Sequence, residues 1–447
     1  MARPRRNAAK TQGSPLTPDE VAEIPVEEQP YPLPEGWKWV RLGDYNCYVS
    51  EIVNPEFFRE NTFELYSVPS SSLGYPEIIL GKEIGSSKQS VEPDDVLLCK
   101  INPRINRVWK VTGYTNNKLI ASSEWIIFRN KNVSSKYIMY CMKSKYFREY
   151  MLSNVSGVGG SLMRAQPKYV QRYPIPLPPI DEQQRIVDRI ESLFAKLDDA
   201  KAKAEAVLDG FEIRKAALLH KAFTGELIGK KNIKWIFLES ILDDIRIGPF
   251  GSILHEKDYI INGIPVINPK HIVKQHIFPQ VNVSINCQKA EELSSYKLSK
   301  NDIILGRRGE MGRCAPVSDK EAGWLCGTGS MILRLKEKYR ADFYSLFISS
   351  PYSIQYFESN AVGTTLKNLN EKIVRKLPIP QISIDEQTRL IHILDNFLAK
   401  EQQVKEDAEN VLNQIELMKK AILARAFRGE LGTHDSARNS LRNNGSM

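Results

Sequence analysis

The run "VQRYPIPLPPIDEQQRIV" begins at Val170, and "VRKLPIPQISIDEQTRLI" begins at Val374, 204 residues later. The match extends without a gap from Val170–Leu227 onto Val374–Leu431, and nearly half of the aligned positions are identical. Shared positions include Pro174/Pro378, Pro176/Pro380, Asp181/Asp385, Glu182/Glu386, Gln183/Gln387 and Arg185/Arg389. The far ends, "AFTGEL" and "AFRGEL", also agree. A gapless match of this length means duplication, and it constrains the chain to fold as two like halves.

Each copy predicts one long helix. Prolines stop at Pro179 and Pro380, so Asp181 or Asp385 can cap the helix, with Glu182 or Glu386 in its first turn. Gln184 stands where a capping box needs it, and Thr388 replaces it in the second copy. Apolar residues then step four, three, four, three. The first copy gives Ile186, Ile190, Leu193, Leu197, Val207 and Phe211; the second gives Leu390, Leu394, Phe397, Val404, Val411 and Ile415. That spacing predicts the seam of a coiled coil. Arg214 and Glu401 interrupt it, and Gly225 and Gly429 end the helices. Two matched narrow seams predict an antiparallel pair formed by the two copies. Each helix packing on its own domain is the alternative.

The preceding segments correspond faintly: "WKWVRLGD" with "IKWIFLES", "DDVLLCK" with "NDIILGR", and "VGGSL" with "VGTTL". Short Val-, Ile-, Tyr- and Trp-rich runs broken by Gly, Pro, Asn and Ser predict a β-sheet core. Residues 135–152 and 341–359 read as short helices. The expected fold class is therefore α+β: two tandem α/β domains separated by two long antiparallel helices, with a pseudo-two-fold internal duplication. The expected boundaries are a disordered tail at 1–32, a domain at 33–178 and a helix at 179–228. A second domain at 229–378, a second helix at 379–431 and a disordered tail at 432–447 follow.

A formal net charge of +9 suggests a polyanionic partner. Six scattered cysteines, none in CxxC spacing, fit a reducing cytoplasm and argue against zinc. No apolar run approaches a membrane span, and no apolar stretch follows the basic N-terminus. His271 and His276 read as structural or surface residues.

Domain, helix, domain, helix, with "PIPLPPIDEQQRIV" and "PIPQISIDEQTRLI" opening the helices, resembles the DNA-specificity subunit of type I restriction-modification enzymes. The resemblance runs from about Leu33 to Leu431. It departs only where "QIS" at Gln381–Ser383 replaces "LPP" at Leu177–Pro179. It implies a bacterial or archaeal cytoplasmic protein in which each domain is a target recognition domain reading one half of a split DNA sequence. The helices would space the halves and dock two methyltransferase subunits. S-adenosylmethionine would sit on those partners and none on this chain, and restriction/translocase subunits would complete the assembly. One chain would then imitate a dimer, but with diverged heads that need no palindrome.

No catalytic machinery is legible. "INPR" at Ile101–Arg104 lacks the second proline and the stacking aromatic of adenine methyltransferases, and reads as a β-turn. "GRRGEMGR" at Gly306–Arg313 fits neither GxGxxG nor a Walker lysine. The alternatives are a self-contained methyltransferase or nuclease, and a coiled-coil DNA-binding regulator. Candidate DNA contacts are Lys100, Arg104 and Arg107 after one predicted strand, and Arg307, Arg308 and Arg313 at the equivalent place. A second matched set is Ser161, Arg164, Gln166 and Lys168 against Thr365, Lys367 and Asn368. A merely solvated basic loop is the competing reading of each.

Overall fold

The computed structural model describes residues 20–153, 155–156, 163–249, 253–363 and 367–433. Contacts divide the chain into two compact units, residues 1–203 with 411–447, and residues 204–410. Each unit takes one mixed domain together with part of both long helices.

In the first unit, β1 (Lys38–Arg41) pairs antiparallel with β7 (Pro174–Leu177), Lys38 opposite Leu177. Proline is tolerated in β7 because this is a two-stranded ribbon with a free edge. Strands β2 (Thr62–Tyr66) and β5 (Lys118–Ala121) run parallel as the fourth and third strands of a five-stranded sheet. Strand β3 (Val96–Cys99) is flanked antiparallel by β4 (Val108–Lys110) and β6 (Trp125–Phe128). Helices α1 (Ser135–Lys143) and α2 (Lys145–Ser153) cover the core, and α3 (Ile180–Asp209) and α4 (Phe211–Phe223) follow. The core joins Val96, Leu98, Tyr137 and Ile175 to Ile186 and Ile190 of α3. It also takes Leu423 and Ala426 of the second long helix and Phe427 just beyond it.

The second unit repeats this plan. Strand β8 (Trp235–Phe237) pairs antiparallel with β15 (Pro378–Pro380). Strands β9 (Leu242–Ile247), β14 (Ser330–Leu335), β11 (Asp302–Gly306) and β12 (Cys314–Pro316) form a four-stranded sheet in that order. Strand β10 (Ile264–Ile267) runs parallel to β13 (Leu325–Cys326), as β2 does to β5. Helices α5 (Ala341–Ile348), α6 (Pro351–Asn360) and α7 (Ile384–Ala426) complete it. Its core joins Leu305, Phe343, Phe347 and Ile379 to Leu219 and Phe223 of α4 and to Leu390 and Leu394 of α7.

The repeated "DEQ" acquires a physical reason. Gln183 is fully buried; its Oε1 accepts from Ser134 N at 3.0 Å and its Nε2 donates to Pro178 O at 2.9 Å. Gln387 is equally buried, accepting from Arg340 N at 2.8 Å and donating to Ile382 O at 2.7 Å. Each glutamine thus bolts the start of a long helix to its own domain. The expected caps differ from the observed ones. Gln184 donates to Asp188 Oδ1, and the second helix is capped by Ser383, whose N–H and hydroxyl bond Glu386 at 3.0 and 2.9 Å.

The first long helix is interrupted at Gly210 rather than continuous. A Cβ there would lie 2.4 Å from Arg214 Nη1. The bare glycine lets that guanidinium lie back along the helix, where Nη2 donates to Val207 O at 3.1 Å and Nε to Glu401 Oε2 at 2.9 Å. The two residues that broke the apolar patterns therefore answer one another. Lys405 lies over the Phe211 ring at 5.1 Å, so in this unit the helices run in opposite senses. In the first unit, Lys419 bonds Asp198 and lies 5.2 Å from the Phe194 ring centroid.

The expected seam needs correction in the second helix. Phe397, Val404 and Val411 are 51%, 44% and 40% exposed. Leu398, Glu401, Lys405, Ala408, Leu412 and Ile415 are the buried or half-buried residues there, one position over for most. The polar Glu401 and the apolar stem of Lys405 occupy seam places that an apolar-only pattern skips. Leu390, Leu394, Ile186 and Ile190 are buried, whereas Leu193, Leu197, Val207 and Phe211 are half-buried.

The N-terminal boundary also moves. Val21 and Ile24 are buried, Ile24 N–H donates to Trp39 O at 2.9 Å, and Tyr31 hydroxyl donates to Phe427 O at 2.9 Å. Residues 20–32 thus belong to the first unit; so few anchors among polar neighbours leave no periodic signal. At the other end, Thr433 is buried and its carbonyl accepts from Arg185 Nε at 3.2 Å. Residues 1–19 and 434–447 lie outside the described residues.

Candidate nucleic-acid interface

Both domains share one framework. Directly after β6, Arg129 clamps the buried Asp95, its Nε and Nη2 at 2.7 and 2.6 Å. On β14, Arg334 clamps the buried Asp302 at 3.0 and 2.8 Å. Each aspartate also accepts a backbone N–H three residues upstream, Glu92 or Ser299, which fixes the turn into β3 or β11. The opposite ends of β3 and β11 then deliver matched loops.

In the first domain that loop is Lys100–Arg107. Lys100 N–H donates to Glu124 O, and Ala165 N–H donates back to Lys100 O, both at 2.9 Å. Ile101 bridges Arg164, whose guanidinium meets Glu124 Oε1 at 3.2 Å. The loop of the first candidate set and Arg164 of the second are therefore brought to one place. Arg104, Arg164 and Lys168 are exposed, and Lys100, Arg107 and Gln166 are half-buried. Ser161 lies outside the described residues. The "INPR" stretch is a turn, with Ile105 N–H on Asn102 O at 3.0 Å. Asn102 and Asn106 adopt left-handed φ values of 47° and 52°, which asparagine tolerates. Their Oδ1 atoms, and Oε2 of Glu124, are buried without a hydrogen-bond partner among the described residues.

In the second domain Arg308 bridges Asn368, and Arg307 Nε donates to Leu369 O at 2.9 Å. Burial, then repulsion from Arg308, holds the Arg307 guanidinium below its ordinary value. Two adjacent cations beside a half-buried asparagine suit an anionic or acceptor-rich ligand. Arg313 and Lys367 are engaged internally. Arg313 pairs with Glu310 and donates to Pro269 O at 3.2 Å, and Lys367 donates to Glu358 O at 3.1 Å. Thr365 lies outside the described residues.

Asn102, Asn106, Glu124 and Ser330 lie outside the expected contact set, and the Oγ of Ser330 is also buried and unpartnered among the described residues. The asparagines flanking "PRI" were the legible clue, since a turn of this kind selects Asn where φ is positive. Glu124 carried none, because an acid in a basic interface is found only by geometry. Among the described residues, no three His, Cys, Asp or Glu side chains could hold a metal ion together, and no helix could cross a membrane. His271 is buried beneath a turn and His276 is exposed.

The chain is 26% identical over 380 residues to the type I restriction enzyme EcoKI specificity subunit of Escherichia coli (strain K12), covering 81% of this chain and 80% of that protein. It resembles the HsdS subunit from Thermoanaerobacter tengcongensis with a TM-score of 0.64 at 21% identity, over 90% of this chain and 99% of that one. A chain solved in a study of complex assembly and conformational transition of the type I R-M system gives a TM-score of 0.73 at 21% identity, over 90% and 100%. The family model of the type I restriction modification DNA specificity domain matches residues 71–208 and 251–414, more than half of the sequence. Duplicated helices, twin frameworks and this match agree, and the chain belongs to the type I restriction modification DNA specificity family.

Proposed function

We propose that this chain is the DNA sequence-specificity subunit of a type I restriction-modification complex. It performs no catalysis itself and reads a bipartite, asymmetric target, one half with each domain. The observation that carries this is a constant framework with divergent loops. The Arg129–Asp95 and Arg334–Asp302 clamps are alike, whereas the loops they support differ. The first presents Arg104, Arg164 and Glu124, and the second Arg307, Arg308 and Asn368. Arginine suits guanine and the phosphates, asparagine suits adenine, and a carboxylate suits the cytosine amino group.

The two long helices form an antiparallel coiled coil in this reading, supported by the Arg214–Glu401 and Lys419–Asp198 pairs. Their exposed side docks two methyltransferase subunits, which bring S-adenosylmethionine; restriction/translocase subunits complete the assembly. The support is a stripe on α7 of Phe397, Val404, Val411 and Met418, all 40% exposed or more. Spaced every seven residues, they form a second apolar seam open to a partner helix.

Methylome sequencing of cells carrying this chain with a methyltransferase partner tests the reading. An interrupted, asymmetric methylated sequence is expected. A palindromic one, or methyl transfer by the purified chain alone, overturns it.

A further inference from the structure

The arginine loops and the Asn368 segment are not alone at the reading end of each domain. In both, an interior strand of the parallel pair leads within one or two residues into a short 3-10 turn at that same end. Strand β10 leads into Pro269–His271 and β2 into Pro69–Ser72.

In the second domain this turn is clamped against the arginine-bearing loop. A Cβ at Gly327 would lie 2.3 Å from Asn268 Oδ1, and one at Gly329 would lie 2.9 Å from Pro269 Cδ. One at Gly306 would lie 3.2 Å from Pro269 Cβ. Three glycines thus admit the turn to a depth that side chains would forbid. From the other side, Arg313 Nη1 donates to Pro269 O at 3.2 Å. From beneath, the buried His271 accepts Asn268 N–H at Nδ1, 3.2 Å, with Nε2 3.4 Å from Gln280 Oε1. The turn is held rigidly while Lys270 at its crest is exposed.

Beside it lies a groove of about 560 Å3, whose walls include His255, Glu256, Tyr259, Asn282, Asn268 and Lys270. These are donors and acceptors converging on one hollow, as recognition of a base edge requires. In the first domain the Tyr66 carbonyl accepts from Ser122 N–H at 3.1 Å and from Trp125 Nε1 at 2.8 Å. Its turn therefore emerges beside Glu124, but reads "SVPSSS" (Ser67–Ser72) where the second reads "NPKH" (Asn268–His271). Position is kept between the heads and chemistry is not, which is the signature expected of a reading element.

We infer that the turn after the parallel strand is an additional specificity-determining element of each domain, and that Lys270 reads a base in the second domain's half of the DNA target. This rests on the proposed DNA-reading function. The test uses the full chain with its methyltransferase partner in cells, and maps the methylated sequence for Lys270→Ala, Lys270→Glu and Arg308→Ala. The expected result is an altered or relaxed base at one position of one half, with the other half unchanged. Discrimination at that position should fall roughly ten-fold or more, as for loss of one base contact. An unchanged target in both Lys270 variants overturns the inference. So does a loss of methylation spread evenly over all sequences, which a phosphate contact or a folding defect would produce. If Arg308→Ala shifts the target while the Lys270 variants do not, only the turn's role fails. If none of the three shifts it, base reading at this end of the domain fails as well.

Discussion

At the residue scale, the two buried glutamines explain the sequence repeat better than helix capping does. Replacing Gln183 or Gln387 by Leu strands one backbone N–H and one carbonyl in a dry site. Each change should cost about 1–3 kcal/mol, measured by denaturant unfolding. Gly210 makes the opposite kind of prediction. Gly210→Ala displaces Arg214 from Glu401, an exposed pair worth at most about 1 kcal/mol. It also gains up to about 1 kcal/mol of helix propensity. Net stability should barely change, but Glu401→Gln should have no further effect in that background, as a double-mutant cycle would reveal. The role of Gln183 was hidden in the sequence because a glutamine beside Asp and Glu looks like one more solvated residue. Gly225 and Gly429, by contrast, were legible as helix ends, and both have left-handed φ values, 83° and 74°.

At the element scale, the two long helices were visible in outline, and the buried face of the second was misread. Apolar spacing marks a face only where the face is wholly apolar. On α7 the occupied face contains Glu401 and Lys405, while the cleaner apolar stripe is the exposed one. Val404→Glu together with Val411→Glu should therefore leave the isolated chain's stability within about 0.5 kcal/mol per site. Co-purification with the methyltransferase should be abolished. The start of α7 is pH-sensitive. A hydrogen bond from Lys230, with those of Ser383, holds the Glu386 carboxyl below its ordinary value. Such a group stabilises the fold fully above the unfolded pKa, about 4.3, and that contribution is lost as pH falls through the folded value. Acid titration of stability should show this loss, and Glu386→Gln should remove it. The strands were legible as a β-rich core. Their pairing was not, because the five-stranded sheet and the parallel β2–β5 and β10–β13 contacts join segments far apart in sequence.

At the scale of the whole molecule, two domains on one framework predict modular recognition. Exchanging residues of about 35–170 for those of a relative should alter one half of the methylated sequence and leave the other intact, as methylome mapping would show. Inserting four residues into both long helices, about one turn each, should change the length of the unread spacer. The described part of the first unit includes residues from Val411 onward as well as those before Ala204, and Leu423, Ala426 and Phe427 help fill its core. During synthesis, then, the first of the two heads to be made should be completed after the second. The first head's apolar cleft should stay open until Leu423–Phe427 emerge, after residues 204–410 of the second unit have been made. A nascent chain halted before Val411 should expose that cleft to chaperones and proteases, and release of residues 411–433 should seal it.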